Sequence, residues 1–379
     1  MNRIFLFSLT FLISSMVVFG QNEQKAASGT NSFLYDQPYD IVGVEPVKNN
    51  RVKNVILMIG DGMGLSQVSA AWVANRGELN LDNCSYTGFS RTWCANKLIT
   101  DSGAAGTAMA TGEKAAYHSI SVDMQGNPLS SLTDLARGKG LKTGIVVTCG
   151  LYDATPAAFC ANNADRDQEE EIAAGYPDCQ VDYIFGGGRD KFSKRSDRRN
   201  LLTEMKQKGY QVYTNWDETR RLLPGRVICI PEEGQLPLAR ERGDLFAKAS
   251  LQAIQMLDNN KGFFAMLEGS RIDDCGHWND LPKLIDEVLD FDRSIGEVLK
   301  WAEKDGETLV IVLADHETGG LILLDGDLKS GSVTGSFSSK EHSGILVPVY
   351  AYGPGAEEFS GIYENTEIFY KITQLLHLK

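Results

Sequence analysis

Lys53-Asn54-Val55-Ile56-Leu57-Met58-Ile59 runs into Gly60-Asp61-Gly62-Met63-Gly64. A continuous apolar run without alternation predicts a strand buried on both faces, as in a parallel sheet covered by helices. The glycines end that run, and a helical pattern takes over at 65–76. The same order recurs downstream. Segments 142–148, 181–185, 211–214, 226–230, 262–267, 308–314 and 346–352 read as strands, and 130–139, 242–259, 281–303 and 366–376 read as helices. Strands alternating with helices predict an α/β fold: a doubly wound, largely parallel central sheet with helices on both faces. Ligands of such sheets bind beyond the carboxyl ends of the strands. Asp61, Glu268 and the pair Asp315-His316 each stand at the end of an apolar run, so these potential ligands converge on one sheet edge.

Composition bounds the rest. With 379 residues, 42% of them hydrophobic, the chain can bury a large core. Arg3 followed by an apolar stretch to Val18, then Phe19-Gly20 and a polar Gln21-Asn22-Glu23-Gln24, reads as a signal peptide over 1–20 cleaved near Gly20. The run is short for a membrane anchor. A periplasmic or secreted protein without stable membrane association is therefore expected. Residues 21–50 read as a polar N-terminal arm, suited to packing on a partner subunit, and 51–379 as one catalytic domain. The net charge of −13 argues against wide nucleic-acid or anionic-membrane binding. Seven cysteines without a CxxC spacing make a thiolate zinc site improbable; Cys84 with Cys94, or Cys160 with Cys179, could bridge, and spacing does not decide between them.

Several segments carry chemistry. Thr100-Asp101-Ser102-Gly103-Ala104-Ala105-Gly106-Thr107-Ala108-Met109-Ala110-Thr111-Gly112 predicts a tight helix beginning at Asp101 or Ser102. Its first N–H groups suit an oxyanion, and the Ser102 hydroxyl could attack one. A capped, Ala-rich core helix is the plainer reading of that stretch alone. In Glu268-Gly269-Ser270-Arg271-Ile272-Asp273-Asp274-Cys275-Gly276-His277, a helix would put Asp273 and His277 on one face, where they could share a metal. The plainer alternative is a polar loop. Asp153 and Thr155 offer a carboxylate and a hydroxyl to a hard cation, or equally cap a helix whose first turn holds Pro156. Arg166 lies between Asp165 and Asp167 and reads either as a surface ion pair or as a fork for two phosphate oxygens. The chain has five histidines, and His277, His316 and His342 fall in acidic, Gly-flanked segments. Carboxylate and imidazole donors without thiolate suit Zn²⁺ with Mg²⁺, and do not exclude Co²⁺, Mn²⁺ or Ca²⁺.

These segments together resemble the alkaline phosphatase family. The matches are NVILMIGDGMG at 54–64, TDSGAAGTAMATG at 100–112, DATPAA at 153–158, GGGR at 186–189, EGSRIDDCGH at 268–277, ADHE at 314–317 and EHSG at 341–344, in the family's order and across nearly all of the chain after the signal segment. The resemblance implies two zinc ions and one magnesium ion. One zinc would take Asp273, His277 and His342; the other Asp61, Asp315 and His316. Magnesium would take Asp61, Thr155 and Glu268, with Asp153 nearby through water. Ser102 would be the nucleophile of a covalent phosphoserine route and Arg166 the phosphate-binding arginine, giving hydrolysis of small phosphate monoesters. Three divalent ions outweigh the ligand carboxylates, which would set a positive focus inside an acidic protein. A homodimer is implied as well. Asp274 departs from the Lys, His or Trp frequent at that place, which puts a water-mediated phosphate contact and the third metal's affinity in question. The interval from His316 to His342 is too short for the large crown insertion of some relatives. A related phosphodiesterase, or a non-catalytic phosphate- or metal-binding protein, are the competing readings; Arg166 and Ser102 respectively speak against them.

Overall fold

The structure, a computed structural model, describes residues 30–378, so the expected signal segment and its cleavage point lie outside the described residues. Fifteen strands occur among those residues. In chain order they are β1 (Thr30–Leu34), β2 (Asn54–Gly60), β3 (Tyr86–Arg91), β4 (Lys142–Gly150), β5 (Tyr183–Gly187), β6 (Tyr210–Tyr213), β7 (Arg226–Cys229) and β8 (Phe263–Gly269). There follow β9 (Thr308–Leu313), β10 (Glu317–Thr318), β11 (Leu321–Asp327), β12 (Ser332–Phe337), β13 (His342–Ser343), β14 (Val347–Tyr352) and β15 (Gly361–Glu364).

Ten of them form one sheet in the order β15-β3-β14-β9-β2-β8-β4-β5-β7-β6. From β9 to β6 every pairing is parallel. β14 runs antiparallel to both its neighbours, while β15 pairs parallel with β3. The sheet is thus largely parallel and doubly wound, as the apolar runs predict. Every residue of β2 is buried. Ile56 and Met58 enter one core, and Val55, Leu57 and Ile59 enter another. That is the two-residue period of a strand covered on both sides. Helices Leu245–Leu257 and Leu281–Asp305 fill the first core, whereas Ser102–Thr111 and Thr366–Leu375 fill the second.

Two departures from the sequence reading have plain causes. The helix expected over 242–259 breaks into Ala239–Arg242 and Leu245–Leu257, because Gly243 between them takes φ 58°. β11 and β12 escape a hydrophobic-pattern search because most of β11 is exposed. They pair with β1 in a three-stranded sheet. The arm is tied to its own chain there, and Tyr39 continues the contact by donating its hydroxyl to Asp292 Oδ2 at 2.6 Å. Of the two bridges left open by spacing, Cys160–Cys179 forms, while Cys84 and Cys94 are buried free thiols. Among the described residues no helix is long and apolar enough to cross a membrane.

Candidate active site

Strands β4, β8, β2 and β9 are consecutive neighbours and run the same way, so their carboxyl ends share one edge. Asp61 follows β2 directly, Glu268 sits opposite Ile59 in β8, and Asp315-His316 follows β9 by one residue. β4 leads to the short helix Ala154–Ala158, whose N-cap Asp153 accepts from Ala154 N at 2.7 Å and whose second residue is Thr155. Thr155 Oγ1 stands 3.5 Å from Asp61 Oδ2.

Asp273 and His277 occupy one face of the helix Arg271–Trp278, with His277 Nε2 3.2 Å from Asp273 Oδ2. β13 pairs with β10, opposing Thr318 to His342. This brings His342 Nε2 within 3.5 Å of Asp273 Oδ1 and 3.1 Å of His277 Nε2, and stacks its ring on His316 at 3.6 Å. His316 Nε2 lies 3.1 Å from Asp315 Oδ2 and 3.5 Å from Asp61 Oδ1. Each imidazole is oriented through its other nitrogen: His342 Nδ1 bonds Thr100 O at 2.9 Å, His277 Nδ1 bonds Lys340 O, and His316 Nδ1 faces Thr318 Oγ1 at 3.2 Å. A ring held at Nδ1 presents Nε2 as a lone-pair donor, the usual arrangement behind a metal-ligating histidine.

Ser102 opens the helix Ser102–Thr111, all of whose residues are buried. Asp101 caps it by accepting from Gly103 N and Ala104 N at 3.1 and 3.3 Å. Small residues are required here: a Cβ on Gly106 would stand 3.2 Å from Ala158 Cβ and 3.4 Å from Thr155 Cα. At the start of this helix Ser102 Oγ lies 3.2 Å from His316 Nε2. Arg166 donates Nη1 to Asp101 Oδ2 and Nη2 to Asp153 Oδ1, both at 3.0 Å, so its guanidinium is anchored beside the serine. The candidate ligands Asp61, Asp153, Thr155, Glu268, Asp273, His277, Asp315, His316 and His342 thus gather at one sheet edge with Ser102 and Arg166. Those the sequence reading missed are Asp101 as the anchor of Arg166, and Thr318, which donates Oγ1 to Asp273 Oδ1. Thr318 directly continues the Asp315-His316-Glu317 run, the one signal that could have found it. Asp274 is bonded by Arg271 Nε at 2.5 Å, so the acid at that place meets a local cation. Asn162, uninterpreted in the sequence, donates Nδ2 to Ser121 O and Leu129 O.

The electrostatics test whether cations fit. Burial, then the charges of Asp315, Asp273, Glu268 and Asp153, push the Asp61 carboxyl well above its usual range. Burial followed by Asp153 and Asp315 does the same to Glu268, and burial carries Asp315 up to about 6. Asp61 Oδ1, Glu268 Oε1 and Asp315 Oδ2 are buried without a hydrogen-bond donor. Burial drives His316 well toward its neutral, ligating form. Unpartnered carboxylates at this density cost several kcal/mol unless cations compensate them. Asp273, His277 and His342 present their donor atoms within 4.8 Å of one another, as do Asp61, Asp273 and His316. The oxygen and imidazole donors suit divalent ions, with thiolate absent from both sets.

The alkaline phosphatase family model matches residues 52–328 and 329–378. Alkaline phosphatase 4 of Bacillus subtilis is 31% identical, covering 85% of this chain and 88% of the relative. The solved alkaline phosphatase of the Antarctic bacterium TAB5 superposes with a TM-score of 0.83 at 38% identity, covering 87% of this chain and 99% of the other. A variant of that enzyme, with Mg bound in its M3 site, superposes with a TM-score of 0.82 at 37% identity, covering 86% and 99% of the two chains. The chain belongs to the alkaline phosphatase family and is, by that membership, a phosphomonoesterase.

Proposed function

We propose that this phosphatase hydrolyses small phosphate monoesters through a phosphoserine formed at Ser102. The observation that carries this reading is the placement of Ser102 Oγ at a helix N-terminus, 3.2 Å from His316 Nε2 and next to a guanidinium fixed by Asp101 and Asp153. Two zinc ions are assigned to Asp273, His277 and His342, and to Asp61, Asp315 and His316. One magnesium ion is assigned to Asp61, Thr155 and Glu268, with Asp153 nearby. Support comes from the cluster of Asp273, His277 and His342, the orphaned carboxylate oxygens of Asp61, Glu268 and Asp315, and the magnesium held by the TAB5 variant. When bound, such ions supply Lewis acidity to the nucleophile and the leaving oxygen and provide charge against the phosphate.

The chain's own residues do the remainder. Asp101 holds the first turn of its helix by accepting from Gly103 N and Ala104 N, and so fixes Ser102 at the start of that helix, ready to meet the phosphorus. Arg166 turns its two terminal nitrogens to non-bridging oxygens, a planar match to phosphate geometry. Bonds at Nδ1 keep His277 and His342 from rotating. The groups assigned here address the phosphate and the metals, which fits low selectivity for the leaving alcohol. Asp274, tied to Arg271, leaves the third site more acidic than one carrying a lysine there.

We assign residues 1–20 to a cleaved signal peptide, 51–379 to one catalytic domain, and the mature protein to the periplasm or the exterior, as a homodimer. The test of the reaction is an aryl phosphate assay with chelation and metal add-back, together with acid trapping of the phosphoenzyme. Hydrolysis that needs divalent metal, and label retained on Ser102, are expected. Full activity after metal removal, or a phosphodiester turned over faster than a monoester, overturns the reading.

A further inference from the structure

Glu317 directly follows His316 and is only 4% exposed. Its Oε1 accepts from Gln67 Nε2 at 2.6 Å and Leu321 N at 3.2 Å, and its Oε2 accepts from Ser343 Oγ. Among the described residues no lysine or arginine forms an ion pair with it. A buried carboxylate compensated only by neutral donors is costly, so its position calls for a reason.

The donors supply one. Gln67 stands on the helix Leu65–Ala74, which leads away from Asp61 through the glycine turn. Ser343 follows His342 and opposes Glu317 across the β10–β13 pair. Each of those strands is two residues long, too short for the ladder alone to hold its register. Gln67 Nε2 also donates to Thr318 O at 2.9 Å. Gly64 closes the seat: a Cβ there would fall 2.3 Å from Glu317 Cγ. One carboxylate thus joins the segments that carry Asp61, His316 and His342.

We propose that Glu317 is a positioning residue for the metal centre, holding His316 and His342 at the spacing where both present Nε2 to the same ligand cluster, and thereby retarding metal loss without touching substrate. The inference rests on the reading of the site as a zinc centre.

The test uses the zinc-loaded full chain as wild type, Glu317→Ala, Glu317→Gln and Ser343→Ala. It measures zinc release to a chromogenic chelator, and KM and kcat for an aryl phosphate at saturating zinc. Outer-shell partners of metal ligands typically change affinity by about 10- to 100-fold. Glu317→Ala should therefore release zinc about tenfold faster or more, with KM at saturating zinc within about twofold of wild type. Ser343→Ala removes one bond and leaves the carboxylate, so it should release zinc at an intermediate rate and serves if Glu317→Ala does not fold. Glu317→Gln keeps an acceptor for Gln67 and should recover most of the retention. Wild-type release rates in folded Ser343→Ala and Glu317→Ala, or a raised KM with zinc retained, overturn the role of Glu317. A wild type that holds no zinc sinks the metal reading instead, so the two failures are told apart.

Discussion

Replacing Arg166 by alanine tests the proposed recognition of phosphate by a side chain rather than by a metal. In the structure the guanidinium makes two charge-assisted bonds at 3.0 Å, to Asp101 and Asp153, with its side chain 22% exposed. The same planar fork would present two N–H groups to phosphate oxygens, each bond contributing about 1.5–3 kcal/mol. The two bonds share one side chain and a partly wet site, so their joint loss is about 2–4 kcal/mol, or roughly 30- to 1,000-fold in kcat/KM. The inhibition constant for inorganic phosphate should rise in the same direction. Folding should suffer less, by no more than about 2 kcal/mol, since each acid keeps other donors. Asp101 still accepts from Gly103 N, Ala104 N and His118 N, and Asp153 from Ala154 N. Steady-state rates on an aryl phosphate at saturating zinc and magnesium, phosphate inhibition and a thermal melt distinguish the two effects. Arg166→Lys should recover only part of the loss, because an ammonium cannot reproduce the bidentate geometry. An alanine variant within about threefold of wild type in kcat/KM, with unchanged phosphate inhibition, refutes the assignment.

Ser102→Ala should abolish the acid-stable phosphoenzyme seen by labelled phosphate or mass spectrometry while leaving metal content intact; label persisting elsewhere on the chain argues against Ser102. Chelation should lower the melting temperature as well as the activity, since Asp61, Glu268 and Asp315 then face one another uncompensated, and zinc with magnesium should restore both; an unchanged melt contradicts the cation account. Tyr39→Phe removes a bond to Asp292, whose carboxyl burial holds up to about 6. The bond favours the ionised acid, so its loss raises that pKa further, and the destabilisation, about 1.5–3 kcal/mol at most, should grow as pH rises through 6 and shrink below it in denaturant titrations. Replacing Cys160 and Cys179 by serine opens a loop closed over a separation of 19 residues and should cost about 3 kcal/mol of folding free energy, read in the same titrations.

The primary sequence alone determined the parts of this protein that repeat at short range. Val55–Ile59 has no polar residue, and such a run has one comfortable place, the middle of a covered parallel sheet. The residues at the ends of such runs, Asp61, Glu268 and Asp315-His316, follow to the ligand edge by topology, and Asp273 with His277 follow by helical spacing. The ordered motifs carried the family. Tertiary structure decided what depends on contacts between distant segments. His342 is a loop histidine in sequence, and only the pairing of β13 with β10 stacks it on His316. Arg166 sits between two acids of its own segment yet bonds Asp101 and Asp153 instead. The choice of Cys160–Cys179 over Cys84–Cys94, and the tie between Asp274 and Arg271, were likewise undetermined by spacing. The physical reason is common to all of these: periodicity reports which face of an element is buried, whereas a hydrogen bond or ion pair between segments depends on where the fold brings their backbones, which no local pattern encodes.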